Sequence, residues 1–155
     1  KVWEAVLKFP AADKDPRLKN LLYHISSVQR AFFYVRTKQT FAFPKETDFP
    51  ALLDIAKWGY ECYTWNNEYL NSLNENELKN IIEIPWANRV EEIIGKPPEN
   101  TTLAETMLQV TTHTAYHRGQ VNARLREIGG EPPMVDFIAW VWLGKPNAVW
   151  NEVNS

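Results

Sequence analysis

The first long apolar pattern of the chain lies between residues 15 and 37. Its apolar residues recur at steps of three and four, which is the period of an α-helix. They are Leu18, Leu21, Leu22, Ile25, Val28, Phe32 and Val35. Asp15-Pro16 opens the segment, and proline is favoured in the first turn of a helix. The pattern predicts a helix that runs to about Thr37.

A second long helix is predicted from about Phe49 to Leu73. Asp48 before Phe49-Pro50 is typical of an N-cap followed by a proline in the first turn. The residues that are expected to face inward include two aromatic ones at the end of this list: Leu52, Leu53, Ile55, Ala56, Cys62, Trp65 and Tyr69. This helix is therefore expected to pack on the first one through large side chains.

Residues 74–100 do not follow a helical pattern. Ile81–Ile84 and Arg89–Ile93 are rich in β-branched residues, and Pro85–Asn88 forms a short link between them. We therefore expect a hairpin-like excursion between the third and fourth helices of the fold. A structureless loop of this length would be unusual.

The next helix is predicted from Thr102 to Ile128, because Thr102 and Glu105 form a capping box and Gly129-Gly130 supplies a stop. A last short helix is expected to pack at residues 135–143. At the other end, residues 2–7 have the pattern of the last turns of a helix. We expect that part of the first helix is missing ahead of Lys1, and that residues 1–155 form a single domain.

Composition narrows the functional classes. Hydrophobic residues make up 45% and charged residues 23% of 155 residues, which is typical of a folded globular domain. The 17 Lys and Arg against 19 Asp and Glu form no dense basic run, so we expect no nucleic-acid partner. No apolar stretch approaches the ~20 residues of a membrane helix, so no membrane partner is expected. The single cysteine, Cys62, is expected to be a core residue in a cytoplasmic protein.

Two histidines lie within or beside the apolar stripe of the Thr102 helix. That stripe consists of Leu103, Met107, Val110, Val121, Leu125 and Ile128. His113 and His117 are four residues apart, which puts their side chains about 40° apart around the helix axis and about 6 Å apart along it. This spacing permits a shared metal ion, but it also fits two buried histidines that only form hydrogen bonds.

His24 adds weight to the metal interpretation. It precedes Ile25 on a strongly apolar helix and can face the same interior as His113 and His117. Three buried imidazoles without partners would cost roughly 1–3 kcal/mol each, whereas a ligand role accounts for all three. Three imidazoles and a vacant fourth position are typical of catalytic zinc, whose ion activates water or a thiol or polarises a substrate oxygen. We therefore predict one divalent metal at these histidines.

A motif surrounds the paired histidines. Thr111–Gln120 reads TTHTAYHRGQ, and it is followed by Arg124–Arg126, Gly129–Pro133 and Asp136–Trp140. This sequence resembles the signature helix of the DinB/YfiT-like metalloenzyme family, and Leu21–His24 resembles the first ligand position of that family. The resemblance spans nearly the whole chain. The family shares only its name with a DNA polymerase, so no role on DNA follows.

The resemblance implies an all-α, four-helix bundle in up-down-down-up order, often dimeric, with zinc or nickel on the three histidines. Relatives include bacillithiol S-transferases and mycothiol isomerases. A low-molecular-weight thiol is thus a candidate cofactor, and thiol S-transfer or hydrolysis of a small-molecule substrate is the candidate reaction. The seven tryptophans also favour a homodimer, because a small core does not readily bury so many.

A second interpretation stays open, in which the chain is a non-catalytic, dimeric helical module that binds small molecules and whose metal site is vestigial. The two hypotheses differ in one structural feature. A working site needs a pocket that opens onto the metal, whereas packed tryptophan or phenylalanine side chains can close a vestigial one.

Several neighbours of the histidines are candidates for supporting roles. Gln120 lies one turn after His117 and is a candidate for orienting a ligand or contacting substrate, although a polar cap on the bundle is an equal alternative. Tyr116 could supply a hydroxyl, but residues that flank a ligand on a helix usually point elsewhere. Gly119 suggests close helix packing or room beside the metal, and close packing is preferred. A solvated face is favoured over an anion site for the three arginines Arg118, Arg124 and Arg126. No general base is predicted.

Overall fold

The computed structural model describes residues 1–40, 42–150 and 153, and most of them are helical. The long helices are α2 (Pro16–Arg36), α3 (Leu52–Ser72) and α5 (Leu103–Glu127). The short ones are α1 (Val2–Leu7), α4 (Glu91–Ile94) and α6 (Phe137–Trp142). Two strands, β1 (Ile81–Ile82) and β2 (Thr101–Thr102), form an antiparallel pair. Single 3-10 turns lie at Ala12–Lys14, Glu46–Asp48, Glu77–Lys79 and Ala87–Val90.

Helix α2 is the centre of the fold, because it packs against both α3 and α5. The short helix α1 contacts α3 and α5 near the beginning of α2. The buried core of this end draws one or two apolar side chains from each of α1, α2, α3 and α5: Val6, Leu18, Leu22, Leu52, Ile55, Val121 and Leu125. Burying side chains of this size removes them from water and holds the helices together.

Polar bridges fix the register of α5 against α2. They are Asp15–Arg124, Gln29–Thr114 and Arg36–Thr106. Along these pairs the residue numbers on α5 fall as those on α2 rise, as expected for antiparallel helices. The arginine Nε atoms lie 3.1 Å from Asp15 Oδ2 and 3.0 Å from Thr106 Oγ1. This register brings the middle of α2 to the middle of α5.

The predicted starts of α2 and α5 are confirmed. The Asp15 carboxylate accepts a hydrogen bond from the Leu18 backbone amide at 2.8 Å. At α5, Thr102 and Glu105 form the expected capping box. The helix ends before Gly129, whose φ of 90° is a backbone conformation that glycine adopts without strain.

The predicted start of α3 is wrong by three residues. Asp48 does not cap this helix, because its carboxylate accepts from the Lys45 amide and closes the preceding 3-10 turn. The helix begins at Leu52, where Asp54 accepts from the amide of Ala51 at 2.9 Å. Asp13 satisfies the amide of Leu52 at 2.7 Å. A cap 39 residues away along the chain leaves no local signal.

The excursion between α3 and α5 is present, but the predicted hairpin arms do not pair. Strand β1 pairs with β2, with Ile81 opposite Thr102, and the amide of Leu103 donates to Asn80 O at 2.8 Å. The segment expected to be the second arm forms a 3-10 turn and α4 instead. Ile93 there is 83% exposed, so that arm has no apolar face that would stabilise a strand.

The last predicted helix is observed as α6, but the expectation that it packs is wrong for this chain alone. Phe137 and Trp142 are 71% and 77% exposed. Pro132 and Pro133 lie between the end of α5 and the start of α6, where they disfavour a continuous helix. Across the described residues, no helix combines the length and the apolar character that crossing a membrane requires.

Candidate metal centre

The three histidines of the chain come together between α2 and α5. Their ring centroids are 4.4 to 5.0 Å apart, and one nitrogen from each ring lies within 4.8 Å of the others. His24 Nε2 and His113 Nε2 are only 3.1 Å apart. Two nitrogens on one tetrahedral zinc are about 3.3 Å apart, so this pair already has nearly the required spacing.

The local sequence explains why the rings meet. His113 and His117 are one turn apart on α5, so both side chains project from the same face. His24 is opposite them on α2, and the Gln29–Thr114 hydrogen bond of 3.1 Å ties the two helices one turn away. The three rings are half-buried. They are held by helices that are themselves packed, which limits how far each ring can move.

The electrostatic setting favours neutral imidazoles. Burial lowers the pKa of His24 below 6.5, and the nearby charge of His117 lowers it further. Burial also lowers the pKa of His113, with His117 and His24 as smaller causes. Neutral imidazole is the form that binds a metal ion, so near pH 7 these two rings need not lose a proton to coordinate one.

Gln120 contacts one of the three rings directly. The Nδ1–H of His117 donates to Gln120 Oε1 at 2.6 Å when that nitrogen carries the proton. The hydrogen bond leaves the Nε2 lone pair available as a ligand. Of the two alternatives considered for this residue, the contact supports an orienting role.

The two tyrosines beside the histidines make different contacts. Tyr116 is 66% exposed and touches the edge of the His117 ring, with the centroids 4.9 Å apart. The hydroxyl of Tyr23 donates to Pro44 O at 2.7 Å, outside the cluster. Among the described residues, neither hydroxyl forms a hydrogen bond with a histidine nitrogen. This agrees with the expectation from helical spacing.

Two expectations about the rest of the motif are wrong. Gly119 does not mark close helix packing, because a Cβ built there meets no atom of the described residues within 4 Å. Arg124 does not lie on a purely solvated face, since it pairs with Asp15 and with Glu127 Oε2 at 3.0 Å. The first of these acidic partners lies 109 residues away along the chain, so local sequence could not reveal it.

A cleft of about 830 Å³ opens onto the histidine cluster. Its walls come from α2, from α5 and from the excursion, and His113 forms part of the lining. Aromatic and aliphatic side chains supply much of the wall: Val28, Ala31, Phe32, Phe43, Ile84, Trp86, Ala87, Val90 and Pro98. Packed tryptophan or phenylalanine rings therefore do not close the approach to His113.

The contact between the excursion and α2 is not predicted from the sequence. Trp86 reaches back to α2, where its ring meets Phe32 edge-on at a centroid distance of 5.4 Å. It was predicted to lie in a turn that only linked two strands. A bulky aromatic residue in a short link was the one available signal, but the sequence does not show which helix it contacts.

The donor chemistry of the cluster suits a divalent metal. Three imidazoles fit zinc, nickel, copper and iron, and one open side leaves room for a further ligand. Among the described residues, these histidines are the one group of three metal-ligating side chains found close enough to share an ion.

Comparison with known proteins gives one match. The model of the family described as the DinB family matches residues 7–147, which is all but the first six and the last eight residues. No curated protein and no solved structure matches the chain.

Proposed function

The chain belongs to the DinB family, and on that premise we propose that it is a metal-dependent enzyme that holds one zinc or nickel ion. The proposed ligands are His24, His113 and His117. The candidate reactions are transfer of a low-molecular-weight thiol to a small-molecule substrate and hydrolysis of such a substrate. The cleft that opens onto His113 is the observation that carries the proposal.

The three side chains are suited to a catalytic rather than a structural ion. Structural zinc sites usually close with four protein ligands, whereas catalytic sites keep a position open. The cluster offers three imidazoles, and the sole cysteine, Cys62, lies buried on α3 outside it. Burial raises the pKa of Cys62 to about 11, so this thiol is unsuited to act as a ligand or nucleophile.

Each residue of the site has a distinct part in the proposed mechanism. A divalent ion supplies Lewis-acid chemistry, which lowers the pKa of a coordinated thiol or water, or polarises a substrate oxygen. His24 and His113 provide neutral donors, and Gln120 fixes the ring and tautomer of His117. The cleft holds the substrate against His113 and excludes part of the surrounding water.

The rival hypothesis is the non-catalytic module with a vestigial site. It is less well supported, because the aromatic side chains of the region line the cleft instead of filling it. A large, mostly apolar cleft with a few polar groups is what a small-molecule site needs in either case. The two hypotheses therefore differ in turnover and not in binding.

Turnover with purified, metal-loaded protein tests the proposal. Protein reconstituted separately with zinc and with nickel is assayed for thiol transfer to an electrophile and for ester and amide hydrolysis. We expect turnover in one class, with a loss of at least about 100-fold in His113→Ala. A His113→Ala variant as active as the wild type would contradict the role of the metal. Metal-loaded protein without turnover in either class would favour the binding module.

We also propose the finer features of the fold and assembly: a four-helix bundle in up-down-down-up order, a homodimer and a cytoplasmic location. The exposed apolar side chains of α6 and of the residue after it support dimerisation, since Phe137, Trp142 and Leu143 are each more than 60% exposed. Sedimentation equilibrium of the wild type against Trp142→Ser tests the dimer. A monomer at micromolar concentration would contradict it.

A further inference from the structure

Among the described residues, the charged side chains that line the cleft are all negative. The lining contains two carboxylates, Glu99 and Glu105, and no lysine or arginine among the described residues. Hydrogen bonds from the Thr102 amide and hydroxyl lower the pKa of Glu105, so this carboxylate stays ionised at neutral pH. Lys96 pairs with Glu99 at 3.1 Å and offsets part of its charge, but does not itself line the cleft.

One buried cation lies close to the lining. Arg36 donates to the hydroxyl and the carbonyl of Thr106, which is a lining residue, at 3.0 and 2.7 Å. It is only 8% exposed and does not line the cleft. Arg36 is buried and donates to α5. An anion in the cleft would therefore lack an exposed cationic partner there.

The shape and chemistry of the walls favour a flat, apolar ligand. Phe32, Phe43 and Trp86 contribute three aromatic rings. The rings of Phe32 and Trp86 are almost perpendicular, with an interplanar angle of 89°, so they form a corner. An aromatic ring of the ligand can pack against such a corner in the offset or edge-on arrangements that aromatic pairs prefer. Gln109 and His113 lie on the same lining and supply polar groups.

We propose that the cleft binds an aromatic or aliphatic molecule that is neutral or cationic, with its polar end toward His113, and that the side chains of the lining, apart from any metal ion at the histidines, discriminate against carboxylates and phosphates. The proposal rests on the proposed function in taking the cleft as the substrate site. It narrows that function, because a negative group of the substrate that does not bind the metal would find no lysine or arginine on the lining.

The test uses three probes that share one carbon skeleton: 3-phenylpropanol, 3-phenylpropylamine and 3-phenylpropionate. Binding to chelator-treated, metal-free protein is measured by ligand-observed NMR at low salt. Metal-free protein is used because a carboxylate would otherwise bind the ion itself. A failure here is therefore distinct from a failure of the metal site, which is measured on loaded protein.

We expect the alcohol and the amine to bind at least about tenfold more tightly than the carboxylate. Trp86→Ala is expected to weaken binding of the alcohol about tenfold, while Tyr63→Ala on α3, outside the lining, leaves it unchanged. Glu99→Lys is expected to narrow the difference in affinity between the amine and the carboxylate. The control Glu131→Lys, outside the lining, is expected to leave this difference unchanged.

Three results would overturn the proposal. The first is a carboxylate that binds as tightly as the alcohol. The second is a Trp86→Ala variant with unchanged binding of all three probes while it remains folded by circular dichroism. The third is the absence of binding by any probe up to the millimolar range, since a cleft of this size and apolar character would then not serve as a ligand site.

Discussion

Gln120 accepts a hydrogen bond from the Nδ1–H of His117 at 2.6 Å, one turn along the same helix. Partners of this kind fix the orientation and tautomer of a histidine ligand, and their loss typically weakens metal binding 10- to 100-fold. We therefore expect Gln120→Ala to raise the dissociation constant for zinc by about that factor. Competition with a chromophoric chelator measures it.

Two further variants serve as controls for the zinc-affinity measurement. Gln120→Glu keeps an acceptor oxygen and is expected to retain most of the affinity. Gln39→Ala removes a glutamine that lies outside the histidine cluster, and is expected to have no effect. Zinc affinity of Gln120→Ala within twofold of the wild type would show that the hydrogen bond does not position the ring.

The stability of the metal-free protein should depend on pH through His24 and His113. Their pKa values in the folded protein lie below 6.5, first because of burial. Between that lowered pKa and 6.5, the unfolded chain binds more protons than the native protein does. The free energy of unfolding therefore falls as the pH drops below 6.5, and this contribution does not change at higher pH.

Urea denaturation of chelator-treated protein at pH 7.5 and pH 5.5 measures this effect. The His24→Gln/His113→Gln variant lacks both groups, so its stability should fall less over the same interval. The other titrating residues are the same in both proteins, so their contributions to the change in the free energy of unfolding cancel in the comparison. An equal fall in both proteins would contradict the assignment of lowered pKa values to these rings.

Gly119 offers a stability test of the exposed face of α5. Alanine is favoured over glycine within a helix by about 1 kcal/mol, and the added Cβ meets no described atom within 4 Å. Gly119→Ala is expected to raise the free energy of unfolding by about this amount in urea denaturation.

Gly59 provides the matched control on α3. A Cβ there lies 3.2 Å from Ser26 Oγ on the neighbouring helix α2, so Ser26 has to shift. Gly59→Ala is therefore expected to gain less stability than Gly119→Ala, or to lose some. A loss of stability in Gly119→Ala would mean that a surface outside the described chain covers this face, and sedimentation of the variant would then test whether that surface is a second copy.

The parts of the fold that sequence predicted well are those with local signals. Helix α2 follows from its apolar period and its opening Asp15-Pro16, and α5 follows from the Thr102–Glu105 capping box. The approach of His113 to His117 follows from their spacing on one helix. These features depend on residues within one or two turns of each other.

The parts that were missed depend on contacts between distant segments. Asp13 caps α3 across 39 residues, and Arg124 reaches Asp15 across 109 residues. The pairing of Ile81 with Thr102 replaced the predicted hairpin because α5 offers a backbone partner at its start. Trp86, which lines the cleft, follows β1 in the same excursion. Periodicity carries no information about such long-range partners.

The most direct test of the metal site is the metal content of purified, untagged protein, measured by inductively coupled plasma mass spectrometry. His113→Ala/His117→Ala serves as the comparison, and circular dichroism checks that both proteins are folded. The account predicts about one equivalent of zinc or nickel in the wild type and its loss in the variant. Wild-type protein that binds neither ion, even after reconstitution, would contradict it and leave His24, His113 and His117 as three core histidines.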